Sequence, residues 1–142
     1  LGTPRFDPHS IPTLSVIRLP YLFDGAERAV KKRFVVLAHI DGHAICIKAT
    51  SKTTIYETNC DMMAGCVYYR AGELDCFPES TAIQPDNQIP IRHYLITSAE
   101  SRGELEVWQL PHDFREKLID AIENSITLNR RQKERLKDMG CP

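Results

Sequence analysis

The chain has 142 residues, of which 42% are hydrophobic and 26% charged, so it is long enough to bury a substantial apolar core. Its 18 basic and 19 acidic residues give a net charge of −1, which excludes a uniformly basic nucleic-acid-binding chain but allows a local basic patch. No segment approaches the roughly 18 uncharged apolar residues of a transmembrane helix, and the first ten residues lack the apolar core of a signal peptide, so we expect no membrane association.

The cysteines form no Cys-x-x-Cys pair. They are Cys46, Cys60, Cys66, Cys76 and Cys141. Their odd number and irregular spacing argue against a disulfide framework and against a zinc site. His93 and His112 fit no metal-ligand spacing either. We therefore predict reduced thiols in a cytoplasmic protein that has no metal and no cofactor.

The beginning of the chain predicts an irregular arm and then a strand. Residues 1–12 contain three of the nine prolines and predict the arm. Residues 14–19 predict a strand that ends at Pro20, because proline cannot donate a hydrogen bond to a sheet. The charged segment that follows, as far as Lys32, predicts a loop.

The clearest local pattern is a β-hairpin. Residues 34–40 and 44–50 are rich in β-branched and apolar side chains, and they flank Asp41-Gly42, a favoured two-residue turn. This turn sets Ile40 opposite His43. The same register sets Arg33 opposite Thr50, with Cβ atoms about 4.5–5.5 Å apart, and a one-residue slip would undo this pairing. The pair would then lie at the open end of the hairpin, on the face away from the apolar core.

The rest of the chain predicts short strands followed by two helices. Residues 51–65 predict a long loop, which is often functional. Strands are predicted at residues 66–70 and 79–84, with one or two more in residues 89–97. Residues 105–110 predict either a last strand or the lead-in to the first helix. From Pro111 an apolar stripe at helical spacing includes Phe114, Leu118, Ala121, Ile122 and Ile126. A second helix is predicted after Asn129, with Gln132 completing a capping box.

This order of elements predicts an α+β fold in a single domain spanning residues 1–142. We expect a small antiparallel SH3-like barrel of about five to seven strands within residues 14–110, with the helices of residues 111–139 packed on one side.

A guanidinium beside a hydroxyl is suited to phosphate oxygens and to the charge that develops on them during phosphoryl transfer. Arg33 and Thr50 are therefore candidate catalytic residues. The alternative is an ordinary exposed cross-strand pair.

The same residues lie within motifs that resemble those of PemK/MazF-type toxins. In that family a Pro…Gly loop leads to an Arg-Pro-Val-Val-Val-Leu strand, and the next strand ends in Thr-Ser or Thr-Ala. Here Pro20, Gly25, the Arg-Phe-Val-Val-Leu of residues 33–37 and Thr50-Ser51 occupy the corresponding places. The Ser-Thr-Ala-Ile of residues 80–83 is similar to a later family strand. Phe34 replaces the family proline, the first hairpin is short and the helical extension is long.

The resemblance implies a dimeric SH3-like barrel, neutralised by an antitoxin, that cleaves single-stranded RNA without a metal. The ribose 2′-hydroxyl would attack the adjacent phosphorus and give a 2′,3′-cyclic phosphate and a free 5′-hydroxyl. Arg33 would stabilise the phosphorane oxygens and help to protonate the leaving oxygen, while Thr50 and Ser51 would bind the scissile phosphate. No side chain is an obvious general base. His39 lies roughly 20 Å along the hairpin from Arg33, and it is interpreted as a surface histidine.

Other side chains are weaker candidates for RNA contacts. The lysines Lys31, Lys32 and Lys52 could attract phosphates, and the tyrosines Tyr56, Tyr68 and Tyr69 could stack on bases. The alternatives are a solvated charged loop for the lysines and half-buried packing for the tyrosines. The last predicted helix has a local charge excess of +3, which fits a solvated face or an RNA- or partner-facing patch.

Two other functions remain open at this stage. The first is a catalytically inactive or gyrase-poison-like module on the same barrel that acts through a protein partner, which Phe34 and the missing base favour. The second is a housekeeping or phage structural domain, which harmless expression would favour.

Overall fold

The computed structural model describes residues 6–140, in which six strands form one antiparallel sheet. The strands in chain order are β1 (Ser15–Tyr21), β2 (Val30–Ile40), β3 (His43–Thr50), β4 (Val67–Tyr69), β5 (Thr81–Arg92) and β6 (Glu106–Gln109). The helices in this part of the chain are α1 (Thr54–Glu57), α2 (Cys60–Ala64), α3 (His93–Ser101), α4 (Phe114–Glu123) and α5 (Arg130–Gly140). A short 3₁₀ turn covers Pro8–Ser10.

The sheet has the strand order β4-β5-β3-β2-β1-β6 and curls into a half-barrel. Each neighbouring pair is antiparallel. This confirms the predicted α+β class and is consistent with a small SH3-like barrel with helices.

Helices cover both faces of the central hairpin β2–β3. On one face, Val35, Leu37 and Ile47 belong to a core cluster with side chains of α4 and α5. On the other face, Phe34, Val36 and Cys46 belong to a second cluster with α3. The prediction that one face of the hairpin points away from the core is therefore wrong. Val35 and Leu37, which alternate along β2 with the same spacing as Arg33, are buried beneath the two last helices.

The predicted hairpin turn is confirmed, but the register changes along the strands. Asp41 and Gly42 both have positive φ, 50° and 76°, as a type I′ turn requires. The expected pairing holds from the turn as far as Ala38, and then Leu37 forms a β-bulge. The bulge shifts the remaining pairs by one residue, so Arg33 lies opposite Ala49. The predicted direct pairing of Arg33 with Thr50 is wrong for this reason.

The region after β4 differs from the sequence prediction. Residues 79–84 and 89–92 belong largely to one strand, β5, whose pairing with β3 jumps from Gln88 to Ile83. The intervening residues bulge out around Pro85, which cannot donate to a neighbouring strand. Residues 93–97 begin α3 rather than continue a strand, and the buried side chains of that helix recur at the helical spacing of His93, Ile96 and Ala99.

The two last helices form as the apolar stripe predicts. Phe114, Leu118, Ala121 and Ile122 are buried on α4, whereas Ile126 is exposed because the helix ends at Glu123. The predicted capping box begins α5: the Gln132 amide N–H donates to Asn129 Oδ1, and the Asn129 amide N–H donates to Gln132 Oε1, each at 2.9 Å.

Two segments that the sequence predicts to be irregular contain helical turns. The predicted loop of residues 51–65 contains the two short helices α1 and α2. The predicted arm of residues 1–12 lies partly outside the described residues. Its described part is attached to the molecule through Ile11, which is buried against α3.

Candidate functional site

A polar pocket of about 190 Å³ lies at the open end of the β2–β3 hairpin. It is lined by the end of β3, the start of β2 and the segment that enters β5. The lining residues are Lys31, Lys32, Arg33, Ala49, Thr50, Ser51, Pro78, Glu79 and Thr81. The structure thus brings together all three predicted catalytic residues and two of the predicted RNA-binding lysines, although the predicted strand register is wrong.

Arg33 is half-buried on β2 at the wall of this pocket. Its Nε atom is buried and has no hydrogen-bond partner among the described residues. The guanidinium lies 5.8 Å from the centroid of the Trp108 ring, which is close enough for a cation–π contact. Burial, and then the positive charge of Arg18, lower the pKa of Arg33. The group is therefore a desolvated cation with unused donors, which is the state in which a bound anion gives the largest benefit.

Arg18 lies opposite Arg33 on β1, and the two arginines differ in their partners. Arg18 forms an ion pair with Glu106 at 2.8 Å. Arg33 has no ion pair within residues 6–140. Glu106 thus pairs directly with Arg18, whereas Arg33 at the pocket has no carboxylate partner among residues 6–140.

Thr50 and Ser51 line the pocket where β3 ends. The Thr50 hydroxyl oxygen accepts a hydrogen bond from the Lys52 amide N–H at 3.1 Å, which orders the backbone after the strand. Thr50 also lines a neighbouring pocket of about 200 Å³, together with Lys48, Lys52, Ile55, Tyr56, Gln84 and Asn87. The two pockets therefore meet at Thr50.

Lysines concentrate positive charge around both pockets. Lys31 and Lys32 line the first pocket, and Lys48 and Lys52 line the second. The pKa of Lys48 is lowered, first by burial and then by the charges of Lys32 and Lys52, which indicates that these ammonium groups lie near one another. Such a concentration of positive charge favours an anionic ligand.

The predicted tyrosines occupy three different environments. Tyr56 is 6% exposed and donates a hydrogen bond to Gln84, so only a small part of its surface borders the second pocket. Tyr68 is half-buried and donates to Glu57 Oε2 at 2.6 Å. Tyr69 is 1% exposed and stacks on Phe77 within the core. Alternation along β4 turns Tyr69 inward, so its ring is not accessible to a base.

Glu79 is the functional candidate that the sequence analysis missed. It is the acidic residue among those that line the Arg33 pocket. Its carboxylate is exposed and forms no ion pair in the described part of the chain. The Thr81 hydroxyl donates to the Glu79 carbonyl oxygen at 2.9 Å and fixes the backbone there. Spacing could not identify Glu79, because 28 residues separate it from Ser51 along the chain.

Phe34 occupies the position of the family proline, but it lies outside the pocket. Its side chain is fully buried, with ring centroids 5.4 Å from Tyr21 and 6.4 Å from Phe23. Alternation along β2 directs it to the face opposite Arg33. The substitution therefore fills the core, and it is not a reason to exclude chemistry in the pocket.

Other features of the described residues bear on the predicted class. The cysteines at positions 46, 60, 66 and 76 are free thiols, and Cys141 lies outside the described residues. Among residues 6–140, no group of three His, Cys, Asp or Glu side chains is arranged to hold a metal ion. None of the helices described there has the length and apolar character needed to cross a bilayer.

No protein-family model matches the chain, and no curated protein sequence matches it significantly.

Proposed function

We propose that this protein is the toxin of a toxin–antitoxin pair, a cytoplasmic endoribonuclease that cleaves single-stranded RNA to give a 2′,3′-cyclic phosphate. The observation that carries the proposal is the pocket in which Arg33, Thr50 and Ser51 lie together beside unpaired lysines. Arg33 lines the pocket and has no hydrogen-bond or ion-pair partner among the described residues, so its guanidinium is available to a phosphate. The short PemK/MazF-like motifs point to the same residues independently.

Six polar residues of the pocket have a role in the proposed reaction. Lys31 and Lys32 hold the RNA backbone, while the Thr50 and Ser51 hydroxyls donate to the scissile phosphate. Arg33 stabilises the negative charge that develops on the phosphorane oxygens. All the side chains to which these roles are given line the same pocket, which supports the proposal.

Glu79 completes the acid–base chemistry of the proposal. Its carboxylate accepts the proton of the ribose 2′-hydroxyl as the 2′-oxygen bonds to phosphorus. The bond from phosphorus to the 5′-oxygen breaks, and that oxygen takes a proton from Arg33, whose lowered pKa favours this transfer. Solvent then returns the proton from Glu79 to Arg33. The net reaction consumes no water and leaves a cyclic phosphate and a 5′-hydroxyl.

The proposed partners follow from the resemblance to PemK/MazF-type toxins. They are single-stranded RNA as substrate, an antitoxin protein that neutralises the activity, and a second copy of the chain in a homodimer. A small acidic or DNA-binding protein encoded immediately upstream would support the antitoxin.

RNA cleavage by the purified protein tests the proposal. We expect wild type to cut single-stranded RNAs of varied sequence and Arg33→Ala to lose about 10²- to 10³-fold in rate, as removal of a transition-state donor does. Arg131→Ala is the matched control, because Arg131 is exposed on α5 and forms no ion pair among the described residues. It should cleave like wild type.

Two results would overturn the proposal. One is a folded wild-type protein that leaves all the RNAs intact. The other is growth arrest on expression that persists in Arg33→Ala, which would indicate a binding module that acts through a protein partner.

A further inference from the structure

Three histidines from different parts of the chain meet at the turn end of the β2–β3 hairpin. They are His9, within the 3₁₀ turn, His39, near the end of β2, and His93, the first residue of α3. Their ring centroids are 4.2 Å (His9–His93), 5.0 Å (His39–His93) and 5.6 Å (His9–His39) apart. The interpretation of His39 as a surface histidine is therefore wrong: the ring is half-buried and has a partner on each nitrogen.

The hydrogen bonds define where the protons are. His39 Nε2 lies 2.8 Å from the carbonyl oxygen of Ile11, and because a carbonyl only accepts, Nε2 carries the proton. In the neutral ring, His39 Nδ1 is then an acceptor, and His93 Nε2 donates to it at 2.9 Å. His93 Nδ1 is consequently unprotonated. It is buried and has no partner among the described residues.

This arrangement accommodates two neutral rings and disfavours a charged one. A proton added to either ring leaves an N–H on His93 Nδ1, where no described acceptor is within reach. His93 is 8% exposed, so water compensates little. The groups that act on it electrostatically are His9 and Asp7 from the segment before β1, His39 from β2 and His43 from β3. Arg92, the residue before it, has its guanidinium over the ring of Tyr94.

Burial is the largest contribution to a lowered pKa of His93, followed by His9, His39 and His43, and Asp7 opposes them. The folded protein therefore favours neutral His93 more strongly than the unfolded chain does. The resulting stabilisation is complete above the ordinary value of 6.5 and is lost as pH falls through the lower pKa of the folded protein.

The histidine pair attaches the segment of residues 6–11 to the rest of the molecule. His39 holds the Ile11 carbonyl, and the Ile11 side chain is 4% exposed in the core cluster beneath α3. Phe6 packs against the same cluster. The His93 backbone is fixed independently, since its amide N–H donates to the Gly42 carbonyl in the hairpin turn at 2.9 Å. Losing the histidine bonds would thus release the segment while α3 stays attached to the hairpin.

We propose that the His39–His93 pair is a proton-operated latch, which holds residues 6–11 over the core at neutral pH and releases them in acid. The neutral pair is the closed state. Uptake of a proton by either ring leaves an unsatisfied N–H on His93 Nδ1, and release of the segment lets water reach both rings. The latch does not depend on the proposed nuclease function, because it lies at the other end of the hairpin.

Histidine titration in the intact wild-type protein is the first test. The ring signals of isotope-labelled histidines are assigned and followed by NMR as the pH is lowered. We expect His93 to titrate below 6.5 and the amide signals of residues 8–11 to shift with the same midpoint. A midpoint at or above 6.5 for His93, or amide signals of residues 8–11 that do not follow it, would overturn the proposal.

Hydrogen exchange of the segment is the second test. Between about pH 7.5 and about pH 5.5, we expect protection of residues 8–15, corrected for intrinsic rates, to fall by about fivefold or more, since each proton taken up contributes up to about tenfold per pH unit. In the double variant His39→Gln with His93→Gln, the glutamine side chains still supply hydrogen-bond donors and acceptors but do not titrate. The pH-dependent change in protection should therefore disappear. His112→Gln, at an exposed histidine before α4 that is not among the groups acting on His93, should respond like wild type.

Three exchange results would overturn the latch. The first is a wild-type change below about twofold, too small for one linked proton. The second is a double variant that responds like wild type. The third is protection of the segment at neutral pH by added Zn²⁺ and its loss with a chelator, which would make the cluster a metal site. If the double variant does not fold, the wild-type titration decides.

Discussion

The two ends of the β2–β3 hairpin hold polar side chains in opposite ways. At the open end, Arg33 has a buried Nε without a partner, and the nearby lysines form no ion pairs among the described residues. At the turn end, His39 uses both ring nitrogens, one toward His93 and one toward the backbone of Ile11. One end is therefore a set of charges without internal partners, and the other is a set of neutral groups bonded to one another.

This difference distinguishes residues that are available to bind a ligand from residues that stabilise the folded state. A desolvated cation without a partner costs free energy in the free protein, and an external anion can recover that cost. A neutral hydrogen-bonded pair contributes to the folded state itself. Variants at the open end should therefore change activity more than stability, and variants at the turn end should change stability.

The largest expected effect tests whether Phe34, although adjacent to Arg33, belongs to the fold. Phe34→Ala removes a fully buried ring that packs against Tyr21 and Phe23. We expect the free energy of unfolding in urea to fall by about 3–5 kcal/mol. Leu22→Ala, at a 56% exposed position in the same region, should change it by less than about 0.5 kcal/mol. A loss below about 1 kcal/mol for Phe34→Ala would contradict the conclusion that Phe34 belongs to the core while Arg33, on the opposite face of β2, belongs to the pocket.

The next largest effect is expected on the rate of RNA cleavage when the Glu79 carboxylate, at the open end of the hairpin, is removed. Glu79→Gln keeps the shape and removes the proposed base, so kcat for RNA cleavage should fall by about 10²-fold or more while the denaturation midpoint stays at the wild-type value. Glu73→Gln, which retains a side-chain oxygen for its bond with the Arg70 amide, is the control. If Glu79→Gln cleaves RNA at the wild-type rate, Glu79 is not the base, whereas the proposed nuclease function stands.

Local rules of sequence predicted much of the fold. The Asp41-Gly42 turn, the apolar stripe of α4 and the capping box of α5 each depend on a few consecutive residues, and the structure confirms them. Helix α3 was missed because residues 89–97 are β-branched and apolar, although His93, Ile96 and Ala99 carry a helical spacing. The spacing is visible only once the strand is known to end at Arg92.

The candidate site was less predictable, because it depends on distant parts of the chain. The bulge at Leu37 is not encoded by a glycine or another local signal, and it changed the register between the turn and Arg33. Thr50 still reaches the pocket because it ends its strand beside the start of β2. Glu79 enters from a segment far along the chain. His9, His39 and His93 meet only after three elements pack together.

The third prediction concerns how much the His39 hydrogen bonds at the turn end of the hairpin contribute to stability. His39→Ala leaves the Ile11 carbonyl and the His93 Nε2–H without their partner, so the free energy of unfolding at neutral pH should fall by about 2 kcal/mol. RNA cleavage per folded molecule should not change. His112→Ala, at an exposed histidine before α4, is the control and should have little effect on either measurement. Loss of cleavage in folded His39→Ala would show that the two ends of the hairpin are coupled.

The smallest expected effect concerns the salt dependence of binding at the open end. Replacing Lys31 and Lys32 together by alanine removes two proposed phosphate contacts, and each contact with single-stranded nucleic acid contributes about 0.7 to the slope of log K against log salt concentration. We expect the slope to decrease by about 1.4 when a 2′-O-methyl RNA, which the proposed reaction cannot cut, is titrated by fluorescence anisotropy. The matched control replaces Arg131 and Arg135, two exposed arginines on α5, and should keep the wild-type slope. If the α5 pair changes the slope and the lysine pair does not, RNA binds the basic helix, and the unpaired charges at the open end serve another ligand.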